Sequence, residues 1–131
     1  SIILAESRPV HDHGTLHQLF GRQTAVYEIN GPLFFGTAQK ALRNITRVDP
    51  EVRTVVLDMS DVSMLDMSAI AAMQAIVKTL DAAHVSLIIN GLAPRMVTKL
   101  HNAQLQSGKV PIRFSDTLND AALMAKAGTA P

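Results

Sequence analysis

Apolar residues along this chain gather in short blocks, and their spacing changes from block to block. Residues 24–29 (TAVYEI) are β-branched and aromatic, and Asn30-Gly31-Pro32 closes them, as a strand running into a turn would be closed. Leu33-Phe34-Phe35 is a second short run, stopped by Gly36. The spacing then becomes helical: behind a capping Thr37, apolar residues recur at Ala38, Ala41, Leu42 and Ile45, and Pro50 blocks further helix. Residues 54–57 (TVVL) are apolar without a break, the pattern of a strand covered on both faces, and end at Asp58. After a polar loop over 59–65, Asp66 opens the most regular helix, with Ile70, Met73, Val77 and Leu80 on one face and Ile76 beside them. Residues 85–89 (VSLII) predict the next strand, stopped by Asn90-Gly91. Pro94 suits the first turn of a helix with Val97 and Leu100 inward and Gly108 near its end. Residues 110–114 predict a last strand, and Asp116 or Thr117 caps a final helix reaching about Ala127.

The predicted order is β-β-α-β-α-β-α-β-α. This is an α/β fold with a mixed sheet of about five strands and about four helices. Most connections are parallel crossovers, and the short turn after residue 29 makes the first pair antiparallel. Residues 1–21 read as a lead-in, with Ile2, Ile3 and Leu4 pairing as a short edge. The domain occupies residues 22–131.

Composition narrows the function classes. A chain of 131 residues makes one domain and can bury a core without a disulfide or metal staple. It has no Cys, which excludes disulfide and thiolate chemistry and suits a reducing compartment. Net charge is +1, too little to draw the chain onto nucleic acid or acidic lipid. No apolar run approaches the ~20 residues of a membrane span. The chain opens on Ser1 and lacks a basic, apolar leader, so we expect it to be a segment of something longer.

The familiar chemistries of small α/β domains do not fit. The strand-to-helix turns, 58–66 and 91–94, match neither GxGxxG nor GxxxxGK[ST]. A phosphoaspartate receiver would use Asp58, Asp61 and Asp66, but Lys109 precedes the last strand instead of following it. There is no GxSxG elbow, and His84 and His101 read as ordinary surface residues. His11, His13 and His17 read as a solvated lead-in and not as metal ligands.

What remains is the segment around Asp58, Ser60, Asp61, Ser63, Asp66, Met67 and Ser68, at the carboxyl end of a strand and the start of a helix, where α/β folds place function. A phosphate on Ser68 would meet unpaired N–H groups and the positive end of the helix dipole, while the three aspartates would oppose it. Equally, Asp66 is a good N-cap, and Asp58 and Ser60 can satisfy loop donors.

Residues 55–70 (VVLDMSDVSMLDMSAI) resemble the signature of STAS domains, which anti-anti-sigma factors and SulP anion transporters share: an apolar strand, D-x-S, a short loop, then an acidic residue and Ser opening a helix. Residues 26–36 (VYEINGPLFFG) resemble the transporter branch. The resemblance implies a non-catalytic regulatory and interaction domain of a SulP-family transporter for sulfate, bicarbonate or dicarboxylates. It would lie at the cytoplasmic face of the bacterial inner membrane, with no cofactor beyond weak nucleotide binding. Its implied partners are its own transmembrane domain, a cytosolic regulatory protein and a second copy, with no nucleic acid. Ser68 falls on the residue phosphorylated in anti-anti-sigma factors, although Met67 and Ala69 stand where the family has a small polar residue and Gly. The alternative is a free-standing anti-anti-sigma-like regulator switched at Ser68. Phe34 and Phe35 are either core or a docking patch.

Overall fold

Three consecutive residues, Val55, Val56 and Leu57, have no exposed surface in the computed structural model. A strand buries neighbouring residues only when both its faces are covered. The structure describes residues 2–5, 19–33, 36, 39–40, 43–44, 50–103, 105 and 112–129. The described elements run β1 (Ile2–Ala5), β2 (Thr24–Asn30), β3 (Thr54–Asp61), α1 (Met67–Ala82), β4 (Ser86–Asn90), α2 (Pro94–Asn102), β5 (Ile112–Ser115) and α3 (Leu118–Thr129). Leu19 and Phe20 are also helical, as are Gly36, Gln39, Lys40, Arg43 and Asn44 on the stretch expected for a first helix.

The strands form one sheet in the order β1-β2-β3-β4-β5, and each described pairing is parallel. The mixed sheet expected from sequence is therefore corrected. Gly31 turns the chain at φ 81°, but the chain does not fold back on β2. It runs on beside β3: the Gly31 amide donates to the Asp61 carbonyl (3.2 Å), the Leu33 amide to the Met64 carbonyl (3.0 Å), and Leu33 bridges Leu65 in parallel. Ile2–Ala5 supplies the other neighbour of β2. The sheet thus draws on residues before Arg22, and Phe20 is buried with it.

Strand alternation sorts the core into two layers. Tyr27, Ile29, Val55, Leu57, Met59, Leu87 and Ile89 meet Ile70, Met73, Ile76, Val77 and Leu80 of α1 and Met96 and Leu100 of α2. Right-handed crossovers that step one strand over in the same direction put both helices on this face. Val26, Val56 and Ile88 point the other way, against Phe20 and the alanines of α3, Ala121, Ala122 and Ala125. Alanines let that helix lie close to the sheet.

Boundaries moved where tertiary pairing overrode local composition. β3 keeps going past Asp58 through Met59, Ser60 and Asp61, which the polar sequence had suggested were loop, because Met59 is fully buried and Asp61 still pairs with Asn30. The cap of α3 is Thr117, whose Oγ accepts from the Asp120 amide at 3.1 Å. His84 follows α1 at φ 58°, and its neighbour Val85 donates to the Leu80 carbonyl (2.9 Å), closing the helix end.

Candidate functional site

Residue register lines up one polar row across the carboxyl end of the sheet: Glu28 opposite Asp58, Asp58 opposite Asn90, Asn90 opposite Ser115. Each lies two residues beyond Val26, Val56, Ile88 or Arg113, so the row continues the α3 face. Ser115 Oγ donates to Asn90 Oδ1 (2.8 Å), and Asn90 Nδ2 donates to Asp58 Oδ1 (3.1 Å). The same carboxylate oxygen accepts from the Ser60 hydroxyl (2.8 Å) and the Ser60 amide (3.3 Å). Asn90 and Ser115 are buried, and partners on both sides offset the cost of removing them from water. The row fixes the end of β3 from behind.

Gly91 fixes it from the side. At φ 75° it brings its Cα so close to Ser60 that a Cβ there would sit 2.6 Å from the Ser60 Cβ and 2.9 Å from its Cα. The next residues are tied from α2, four positions apart on one helix face. Arg95 Nη2 donates to the Ser63 carbonyl (3.3 Å), and Lys99 Nζ donates to the Leu65 carbonyl (2.5 Å). Asp66 then starts α1: its Oδ1 accepts from the Ala69 amide at 2.7 Å, an N-cap bond.

This framework presents an apolar surface. Val62 and Leu65 turn inward, at 4% and 2% exposure, while Met64 is 43% and Met67 78% exposed. Ser63 and Ser68 are exposed beside them, with Asp61 at the near edge. Of the aspartates singled out from sequence, Asp58 is bound up in the polar row and Asp66 in the cap, and among the described residues no group of side chains could hold a metal ion. The arrangement has the chemistry of a contact surface: large flexible apolar side chains in a polar rim on a fixed backbone.

The structure places Asp58, Ser60 and Asp61 on the end of β3, Ser63 and Asp66 on the turn that follows, and Met67 and Ser68 at the start of α1. Phe34, Phe35, His11, His13 and His17 lie outside the described residues. His84 is exposed in the turn after α1, and His101 is exposed on α2, edge-on to Phe114 with ring centroids 5.4 Å apart. Sequence inspection missed Asn90, Ser115, Gly91, Arg95, Lys99 and Met64. The pairing Asn-Gly after an apolar run read only as a stop, and in the helix after Pro94 only the apolar positions drew notice. A pocket of about 420 Å³ between α2 and β5 was also unforeseen; Ile89, Leu92 and Phe114 line it with His101, Ser115 and Asp116.

A family model described as "STAS domain" matches residues 19–121. The chain belongs to the STAS domain family. Among solved structures, a sulfate transporter family protein from Wolinella succinogenes superposes with a TM-score of 0.73 at 22% identity, covering 83% of this chain and 89% of that one. The STAS domain of a SulP transporter from Vibrio cholerae gives 0.64 at 22% identity, covering 82% and 88%. The anti-sigma factor antagonist SpoIIAA in its unphosphorylated form gives 0.62 at 18% identity, covering 82% and 92%. Comparison with curated proteins finds no match. At these identities the likeness is one of fold. Among the described residues no helix is long and apolar enough to cross a membrane.

Proposed function

We propose that this domain is the regulatory and interaction module of a SulP-type anion transporter, docking on the membrane-spanning part of its own protein or on a cytosolic regulator through the surface around Met64, Met67 and Ser68. The observation that carries this is the exposure of Met64, on a turn held by Asp58, Gly91, Arg95 and Lys99, and of Met67, at the first position of the helix that follows. Rigid backing under an apolar surface lowers the ordering cost of docking. The domain performs no catalysis in this account and lies at the cytoplasmic face of the membrane. The sequence of residues 26–36 supports the transporter branch.

Ser68 keeps a second reading open, that of a free-standing regulator switched by phosphorylation. It is exposed in the first turn of α1, where an added phosphate would stand beside Met67 and face amide donors at the helix start. The test is anion uptake by the product of the complete gene. With Met67→Asp, uptake falls while the amount of protein in the membrane is unchanged. Unchanged uptake, or a gene with no membrane spans ahead of Ser1, removes the transporter reading and promotes the Ser68 switch.

A further inference from the structure

The six methionines of this chain fall into two groups. Met59 and Met73 have no exposed surface, Met96 has 4%, and Met124 is partly buried against the α3 face. Met64 and Met67 stand in solvent, three residues apart, and both belong to the docking surface proposed above. The rest of the oxidisable inventory is thin: the chain has no Cys and no Trp, and its single Tyr, Tyr27, is 2% exposed. A two-electron oxidant reaching this domain therefore meets thioether sulfur first at the surface proposed for docking.

We propose that Met64 and Met67 form a reversible oxidation site that switches the docking surface from apolar to polar. The co-reactant is a hydroperoxide. The thioether sulfur attacks its terminal oxygen, the O–O bond breaks as an S–O bond forms, and water (or an alcohol) leaves. Sulfur loses two electrons and the peroxide gains them. The sulfoxide is polar and chiral, and reductases specific for each epimer return it to the thioether. Nothing in the core has to move, because neither side chain is packed there and the Asp66 cap and the two α2 tethers use other atoms. The switch rests on the docking reading given above; the selectivity of oxidation does not.

The experiment treats the folded chain with hydrogen peroxide and follows each methionine by peptide mapping, alongside circular dichroism and retention on a hydrophobic column. Met67 and Met64 oxidise roughly ten-fold or more faster than Met59, Met73 and Met96. Helical signal stays constant, retention falls, and the two reductases restore it. The M64L/M67L chain keeps its retention under the same treatment. Equal oxidation rates across the buried and exposed methionines overturn the proposal, as does unfolding that tracks oxidation or retention that the double variant loses equally. Selective, reversible oxidation in a chain whose Met67→Asp variant leaves uptake unchanged would strike the docking reading and leave the oxidation site standing.

Discussion

The turn after β4 takes three residues, Gly91 to Ala93, and tucks Leu92 inside; the turn after β3 takes five, 62–66, and leaves Met64 43% exposed. The first is closed by backbone contact, since its glycine lies against Ser60 and α2 begins without a side-chain cap. The second is held by side chains: Asp58 behind it, Arg95 and Lys99 beside it, Asp66 at its end. Neighbouring turns on adjacent strands thus divide the labour. The short one is the wall, and the longer one, leaning on it, exposes Met64 and leads into the exposed Met67.

Damage to the wall tests this division most severely. Gly91→Ala forces a side chain to φ 75° and into Ser60, and should lower unfolding free energy by about 2–5 kcal/mol. Gly31→Ala supplies the comparison: φ is 81°, but nothing lies within 4 Å, so only the backbone cost of about 1–2 kcal/mol applies. Denaturant melts of both variants separate the contact from the conformation, and equal losses would refute the wall. Next in size, Asn90→Ala strips Ser115 of its acceptor and Asp58 of a donor, for about 1–3 kcal/mol. Amide exchange at Ser60 and Asp61 should quicken in that variant more than exchange in α1.

Smaller effects refine the picture. Lys99→Met removes the bond to the Leu65 carbonyl while keeping the aliphatic stem, and should cost about 0.5–1.5 kcal/mol. Its signature is local: faster exchange over the 62–66 turn with the turn after β4 unaffected. Smallest at neutral pH is Tyr27→Phe, on β2 and outside both turns. Burial holds the Tyr27 phenol above its ordinary value of 10.0 by disfavouring the anion. The unfolded chain then releases this proton before the folded chain does, so the folded state binds more protons and stability falls as pH rises beyond about 10. Tyr27→Phe should flatten that alkaline fall in the wild-type and Lys99→Met backgrounds alike; a flattening seen in only one would tie Tyr27 to the turn.

Much of the frame was legible before the structure. TVVL announced a strand covered on both sides, and Asp66 announced a helix start, because each signal is local. The direction of residues 31–33 was not legible, since a turn after Gly31 can reverse the chain or merely bend it, and the choice is made by amides reaching Asp61 and Met64. The polar row was hidden for a related reason. Asp58, Asn90 and Ser115 are brought together only by strand register, and nothing near any one of them in sequence names the others. Of the aspartates that a phosphoaspartate receiver would have used, Asp58 and Asp66 are fasteners, whereas Met67, singled out with them, and Met64, which was not, are what the site exposes.

The central claim is that the turn after β3 is the face this domain offers to its partner. The direct measurement is photo-cross-linking in native membranes from the complete protein, with a benzophenone amino acid at position 67 and, as control, at Leu123 on α3, another large apolar residue, 67% exposed against 78% for Met67. The account predicts a defined adduct from position 67 to the membrane-spanning part of the same protein or to a single cytosolic protein, and none of matching yield from position 123. No adduct at 67, or the same products from both positions, would contradict it.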